Sequence, residues 1–80
     1  MKFTKYFEFT KLRPDRVDIR EEWIAEAFYR PIYEEVQNDG RIRKWAKISE
    51  ADNKFLRIIV LEDKETIHNA FFDRSFKEKL

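Results

Sequence analysis

The spacing of apolar side chains changes once along this 80-residue chain, and the change falls at a proline. Between Pro14 and Pro31, Ile19, Trp23, Ile24, Ala27 and Phe28 recur at the spacing of one helical face, while Arg20, Glu21, Glu22 and Glu26 point away. After Pro31 apolar residues recur at every second position, as they do along strands. Proline lacks a backbone donor and disfavours helix in the residue before it, so each proline marks the end of an element. The spacing predicts a helix over residues 19–29, then strands over 32–38, 41–48, 55–61 and 66–72. Asp18, three residues before Glu21, resembles a capping box that starts the helix. Asn38-Asp39-Gly40 predicts a tight turn because Gly and Asn tolerate positive φ, Ser49 to Lys54 reads as a polar loop, and Asp63-Lys64 turns the chain again.

The N-terminal segment fits two patterns. Phe3, Phe7 and Phe9 alternate like a strand, while Phe3, Tyr6 and Phe7 would line a helix, so either an extra strand or a short helix is expected at the sheet edge. The fold class expected is α+β: one amphipathic helix packed on a three- to four-stranded antiparallel sheet, in a single domain spanning 1–80. An apolar fraction of 42% with eight Phe, three Tyr and two Trp argues for a packed core despite 41% charged residues.

The chain has no cysteine, which excludes a disulfide framework and thiolate metal sites and suits a reducing compartment. The start Met1-Lys2-Phe3-Thr4-Lys5 has no continuous apolar stretch and no window reaches membrane-span length, so a cytoplasmic protein without membrane contact is expected. With one Gly there is no phosphate-cradling glycine loop, and the single His lacks a spaced acidic or His partner, so no metal or cofactor is expected.

Net charge is only +1, but the charges are unevenly placed. Arg41 to Lys47 holds four basic residues and no acid, whereas Asp18 to Glu26 holds four acids and one base. Alternation turns Ile42, Ala46, Ile48, Leu56, Ile58, Val60, Ile67 and Phe71 towards the helix, interrupted by Lys44 and Asn69. The other face then collects Arg41, Arg43, Trp45, Lys47, Arg57 and His68, with Phe55 beside them. Cations and aromatic rings on one open sheet face suit an RNA strand, through phosphate contacts and base stacking. RNA cleavage by the ribose 2′-hydroxyl needs a base, cations for the phosphorane and an acid for the leaving oxygen. His68 can serve as base or acid, Arg57 and Arg43 can hold the phosphate, and Arg41, Trp45, Lys47 and Arg74 can bind the strand.

Each residue also has a plainer reading. The basic row can be a solvated strand face, Trp45 can pack in a secondary core, and His68 can be structural. Arg57, set in the run Phe55-Leu56-Arg57-Ile58-Ile59-Val60-Leu61, can pair with an acid such as Glu34. A charge in the most hydrophobic strand is costly unless paired or exposed, which makes Arg57 the most informative residue. Asp73 and Arg74 can form a local ion pair, with Phe76 covering the sheet edge.

The runs Glu35-Val36-Gln37-Asn38-Asp39-Gly40-Arg41-Ile42-Arg43-Lys44-Trp45, Leu56-Arg57-Ile58-Ile59-Val60 and Asn69-Ala70-Phe71-Phe72-Asp73-Arg74-Ser75-Phe76, with the helix opening Glu22-Trp23-Ile24, resemble a group of small bacterial proteins. That group is similar to the RelE/ParE and BrnT-like toxin superfamily. The resemblance implies a RelE-like fold and the toxin component of a toxin-antitoxin pair: an mRNA-cleaving, metal-independent ribonuclease acting at or near the ribosome. The antitoxin would be its partner protein, Arg43, Arg57 and His68 would do the chemistry, and Arg74 would assist. The sequence departs from relatives that carry a His near the first helix, reading Lys5-Tyr6-Phe7-Glu8 there, and is less basic than typical RelE-like toxins. The alternative within the same fold is a non-catalytic protein- or RNA-binding module. Open sheet edges also allow a homodimer.

Overall fold

The structure, a computed structural model, describes residues 1–77. Strand β1 (Lys2–Phe3) leads into helix α1 (Lys5–Thr10), and after a run of turns comes helix α2 (Glu21–Tyr29). Strands β2 (Tyr33–Val36), β3 (Ile42–Ile48), β4 (Lys54–Val60) and β5 (Thr66–Phe72) follow, with a 3₁₀ turn at Ser49–Ala51. The strand order is β1-β5-β4-β3-β2. The α+β class expected from the sequence is present, but the sheet has five strands instead of three or four, and it is mixed because β1 runs parallel to β5.

The N-terminal ambiguity resolves into both alternatives in succession. β1 pairs Lys2 with Thr66 and Phe3 with Ile67, then Thr4 caps α1 by accepting a hydrogen bond from the Phe7 N–H at 3.0 Å. Phe7, common to both spacings, is buried in the core and stacks on Phe3, while Tyr6 and Phe9 stay exposed. α2 starts two residues later than the spacing suggested. Its N-cap is Arg20, which makes no side-chain cap bond, and the Arg20 carbonyl accepts from Trp23 and Ile24. Asp18 lies outside the helix because residues 13–19 already close turns of their own, Val17 on Arg13 and Ile19 on Arg16. Glu21 and Glu22 in the first turn suit the positive end of the helix. Pro31 stops it after Arg30.

The core lies between α2 and one sheet face. Ile24 and Ala27 meet Ile42, Ala46, Ile48, Leu56, Ile58, Val60, Ile67 and Ala70, with Phe7 closing one side. Burying each large aliphatic side chain here stabilises the fold by about 1.5–3 kcal/mol relative to leaving it in water. Lys44, which alternation also placed on this face, escapes at its margin: its ammonium donates to the Phe28 carbonyl at 2.9 Å and lies over the Phe28 ring. The β2–β3 hairpin turns at Gly40, whose φ of 90° favours glycine and whose missing Cβ would lie 3.2 Å from Glu62 Oε2.

One irregularity reorders the C-terminal strand. Ile59 pairs with Asn69 but Val60 pairs with Ile67, so β5 carries one extra residue, His68, as a bulge. The bulge shifts the phase of alternation. Ala70 and Phe72 therefore turn to the helix side, while Asn69 and Phe71 move to the opposite face, which corrects the expected placement of both. Among the described residues no helix is long and apolar enough to cross a membrane.

Candidate functional site

The face away from α2 is built in cross-strand rows. Trp45, Arg57 and Phe71 form one row, Arg43, Ile59 and Asn69 the next, and Lys47 with Phe55 the row at the other end. Arg57 is central. Its guanidinium carbon lies 5.8 Å from the Trp45 ring centre and 5.0 Å from that of Phe71, so two aromatic faces hold the cation in place. Its acid is Asp73, at 3.5 Å from Nη1. Glu34 is not its partner, because Glu34 sits opposite Lys44 and so points to the other side of the sheet.

At one end of this face the surface is open. A concavity of about 390 Å³ is lined by Tyr6 from α1, Arg57 and Ile59 from β4, His68, Asn69 and Phe71 from β5, and Gln37 and Arg41 from the β2–β3 hairpin. The bulge brings His68 and Asn69 to it together. His68 stacks on the Tyr6 ring at 4.7 Å and its Nδ1 lies 3.1 Å from Thr4 Oγ1. Burial pushes the His68 pKa below its usual 6.5, and the nearby Arg41 charge adds to the effect, so both causes favour the neutral ring. Arg16, from the turns after α1, braces Asn69 by donating from Nη1 to Oδ1 at 2.5 Å, and its guanidinium lies 5.5 Å from the Phe71 ring.

The other end of the face is sealed by the chain that follows β5. Phe76 stacks on Trp45 at 4.8 Å, meets Phe55 edge-on at 5.0 Å and lies 6.0 Å from Tyr33. Trp45 is 5% exposed and donates from Nε1 to Asp73 Oδ2 at 3.1 Å. Burial by itself would raise the Asp73 pKa, but hydrogen bonds from Ser75, Trp45 and Arg57 outweigh it and hold the carboxyl at about 2. Asp73 thus bonds to Ser75, Trp45 and Arg57.

The residues singled out from the sequence divide accordingly. His68, Arg57 and Arg41 come together around the concavity. Arg43 pairs with Glu35 at 3.2 Å and lines a separate depression that also holds Asp39. Trp45 lies under Phe76, Lys47 is exposed with its ammonium 6.0 Å from the Phe55 ring, and Arg74 is exposed beside Phe72 and Phe76. The chain matches no family model, no curated protein and no solved structure. Five residues at the site had no signal that singled them out for it: Thr4, Tyr6, Arg16, Gln37 and Asn69. Tyr6 and Thr4 enter through the parallel pairing of β1, and Asn69 through the bulge. Among the described residues no group of three His, Cys, Asp or Glu side chains is gathered as a metal site.

Proposed function

We propose that this protein is a toxin-like endoribonuclease that works without a metal, acting on single-stranded RNA at the concavity between α1, β4 and β5. The observation that carries the reading is the convergence of one His, two Arg and one exposed Tyr on a single open depression of about 390 Å³. Arg57 and Arg41 meet the phosphate, with Arg57 preset by its two aromatic neighbours. Tyr6 offers a ring for a base to stack on, and Asn69 and Gln37 offer amide groups to its edge. His68 handles protons or holds a phosphoryl oxygen. A small antitoxin-like partner would hold the toxin between uses, and Phe9, Leu12 and Val17, on α1 and in the turns after it, offer it exposed apolar side chains.

A second reading, an RNA-binding module that cuts nothing, draws support from the ion pairing of Arg57 with Asp73 and of Arg43 with Glu35. One experiment separates the two. The purified chain is mixed with end-labelled single-stranded RNA in the presence of a chelator, and binding and cleavage are followed for wild type, His68→Ala and Arg57→Ala. The ribonuclease reading expects cleavage by wild type and a loss of about 10²-fold or more in His68→Ala. Binding without cleavage establishes the module instead, and no binding at low salt removes both.

A further inference from the structure

Thr4 stands at the junction of four hydrogen bonds, one of them the Glu8 N–H donating to its carbonyl at 3.0 Å. Its backbone N–H donates to the Ile67 carbonyl at 3.0 Å, which registers it beside the bulge. Its hydroxyl oxygen accepts from the Phe7 N–H at 3.0 Å and lies 3.1 Å from His68 Nδ1. A threonine hydroxyl carries one proton, and with the oxygen already accepting from Phe7 that proton needs an acceptor. Among the described residues the one acceptor in reach is His68 Nδ1. Tyr6 holds the ring from one face at 4.7 Å, with the two planes 23° apart, so rotation that would exchange the two ring nitrogens is opposed.

We propose that Thr4 is a positioning residue: its hydroxyl donates to Nδ1 and thereby fixes His68 in the tautomer that presents Nε2–H to the concavity. The consequence narrows the role of His68 in the ribonuclease reading, on which this part rests. As neutral imidazole the ring gives a hydrogen bond from Nε2 to a phosphoryl oxygen. As imidazolium, with the Thr4 hydroxyl turned to accept from Nδ1–H, it can still release the Nε2 proton to a leaving oxygen. In neither state does Nε2 offer a lone pair, so the proton of the 2′-hydroxyl passes to solvent water and not to His68, and His68 serves only the phosphoryl and leaving oxygens. The hydroxyl that ends β1 and begins α1 thus ties the register of the N-terminal segment to the chemistry of the site.

His68 is the one histidine of the chain, which makes the test direct. Long-range proton–nitrogen correlation spectra of the full-length protein, recorded well above the titration midpoint, distinguish a protonated ring nitrogen from a bare one. Wild type is expected to show a bare Nδ1 and a protonated Nε2, and Thr4→Ser is expected to keep that pattern. Thr4→Asp preserves the helix cap, since a carboxylate also accepts from the Phe7 N–H, but it has no proton to give. It is expected to reverse the pattern to a protonated Nδ1. A protonated Nδ1 in wild type, or the same tautomer in wild type and a folded Thr4→Asp, overturns the proposal. The spectra need no RNA, so their outcome is independent of the cleavage assay. Loss of cleavage with the expected tautomer intact counts against the ribonuclease reading alone.

Discussion

At one end of the outer sheet face Trp45 lies beneath Phe76 and is 5% exposed, while at the other end Tyr6 lies over His68 and remains 45% exposed. Both ends use β4, and both combine aromatic rings with arginine. They differ in what crosses them. The segment after β5 brings Asp73, Ser75 and Phe76 down onto Trp45 and satisfies its indole N–H, so that end becomes a second small core. The N-terminal segment brings Thr4 and Tyr6 against His68 and stops short of Arg57 and Arg41, so that end keeps a concavity. Aromatic and basic composition on a sheet face therefore does not decide between site and core. Coverage by the chain's own termini does.

The largest expected effect is on the sealed end. Trp45→Ala removes a buried ring and leaves Asp73 without its indole donor, which should cost about 3–5 kcal/mol in urea unfolding. A cost below about 1 kcal/mol would mean that Phe76 does not cover Trp45 in solution. The next effect comes from Asp73 and has a definite pH sign. Its carboxyl is held at about 2 in the folded chain against 3.8 for the free group, so the unfolded chain binds the extra proton first. The stabilisation is complete above about pH 4 and is lost as pH falls through the folded value of about 2. With the side chain 8% exposed, it amounts to at most about 2 kcal/mol. Asp73→Asn should lower neutral-pH stability by up to that amount and flatten the acid limb of the stability profile.

Much of this face could be read from alternation alone. The strands after Pro31 and the body of α2 lie where apolar period placed them, within about two residues, since those segments are long enough for a period to register. Three features were beyond it for physical reasons. β1 has two residues, too few to show any period, and its parallel pairing joins chain positions 64 apart. The bulge at His68 adds a residue without any Gly or Pro to announce it, so Phe71 and Phe72 exchanged faces. Finally, the partner of Arg57 could not be assigned by proximity in sequence. Glu34 and Asp73 are both plausible acids, and only the register of β2 on β3 turns Glu34 away.

The open end should respond through binding and not through stability. Among the described residues the one ion pair of Arg41 is an exposed one with Asp39, at 3.8 Å, which contributes little to folding. Arg41→Gln should leave the urea midpoint in place while weakening RNA binding. If Arg41 meets one phosphate, the slope of log affinity against log salt should fall by about 0.7, the value per neutralised phosphate on a single strand. An unchanged slope would remove Arg41 from the RNA contact set.

The same variant gives the finest test of how separate the two ends are. Two causes hold the His68 pKa below 6.5, burial first and the Arg41 charge second, and Asp73 is not among them. Removing the Arg41 charge should therefore raise the His68 midpoint, but not to the value of a free histidine, because burial against Tyr6 and Thr4 persists. Asp73→Asn should leave that midpoint where it is. Because the folded midpoint lies below the unfolded one, the unfolded chain takes up the proton more readily, and stability declines as pH drops from 6.5 through the folded value. Arg41→Gln should make that decline shallower. Titration of the single imidazole by NMR reads both midpoints, and urea unfolding across the same pH range reads the decline. A midpoint that moves with Asp73 and ignores Arg41 would show that the sealed end sets the charge state of the open one, and the two halves of the face would then have to be treated as a single electrostatic unit.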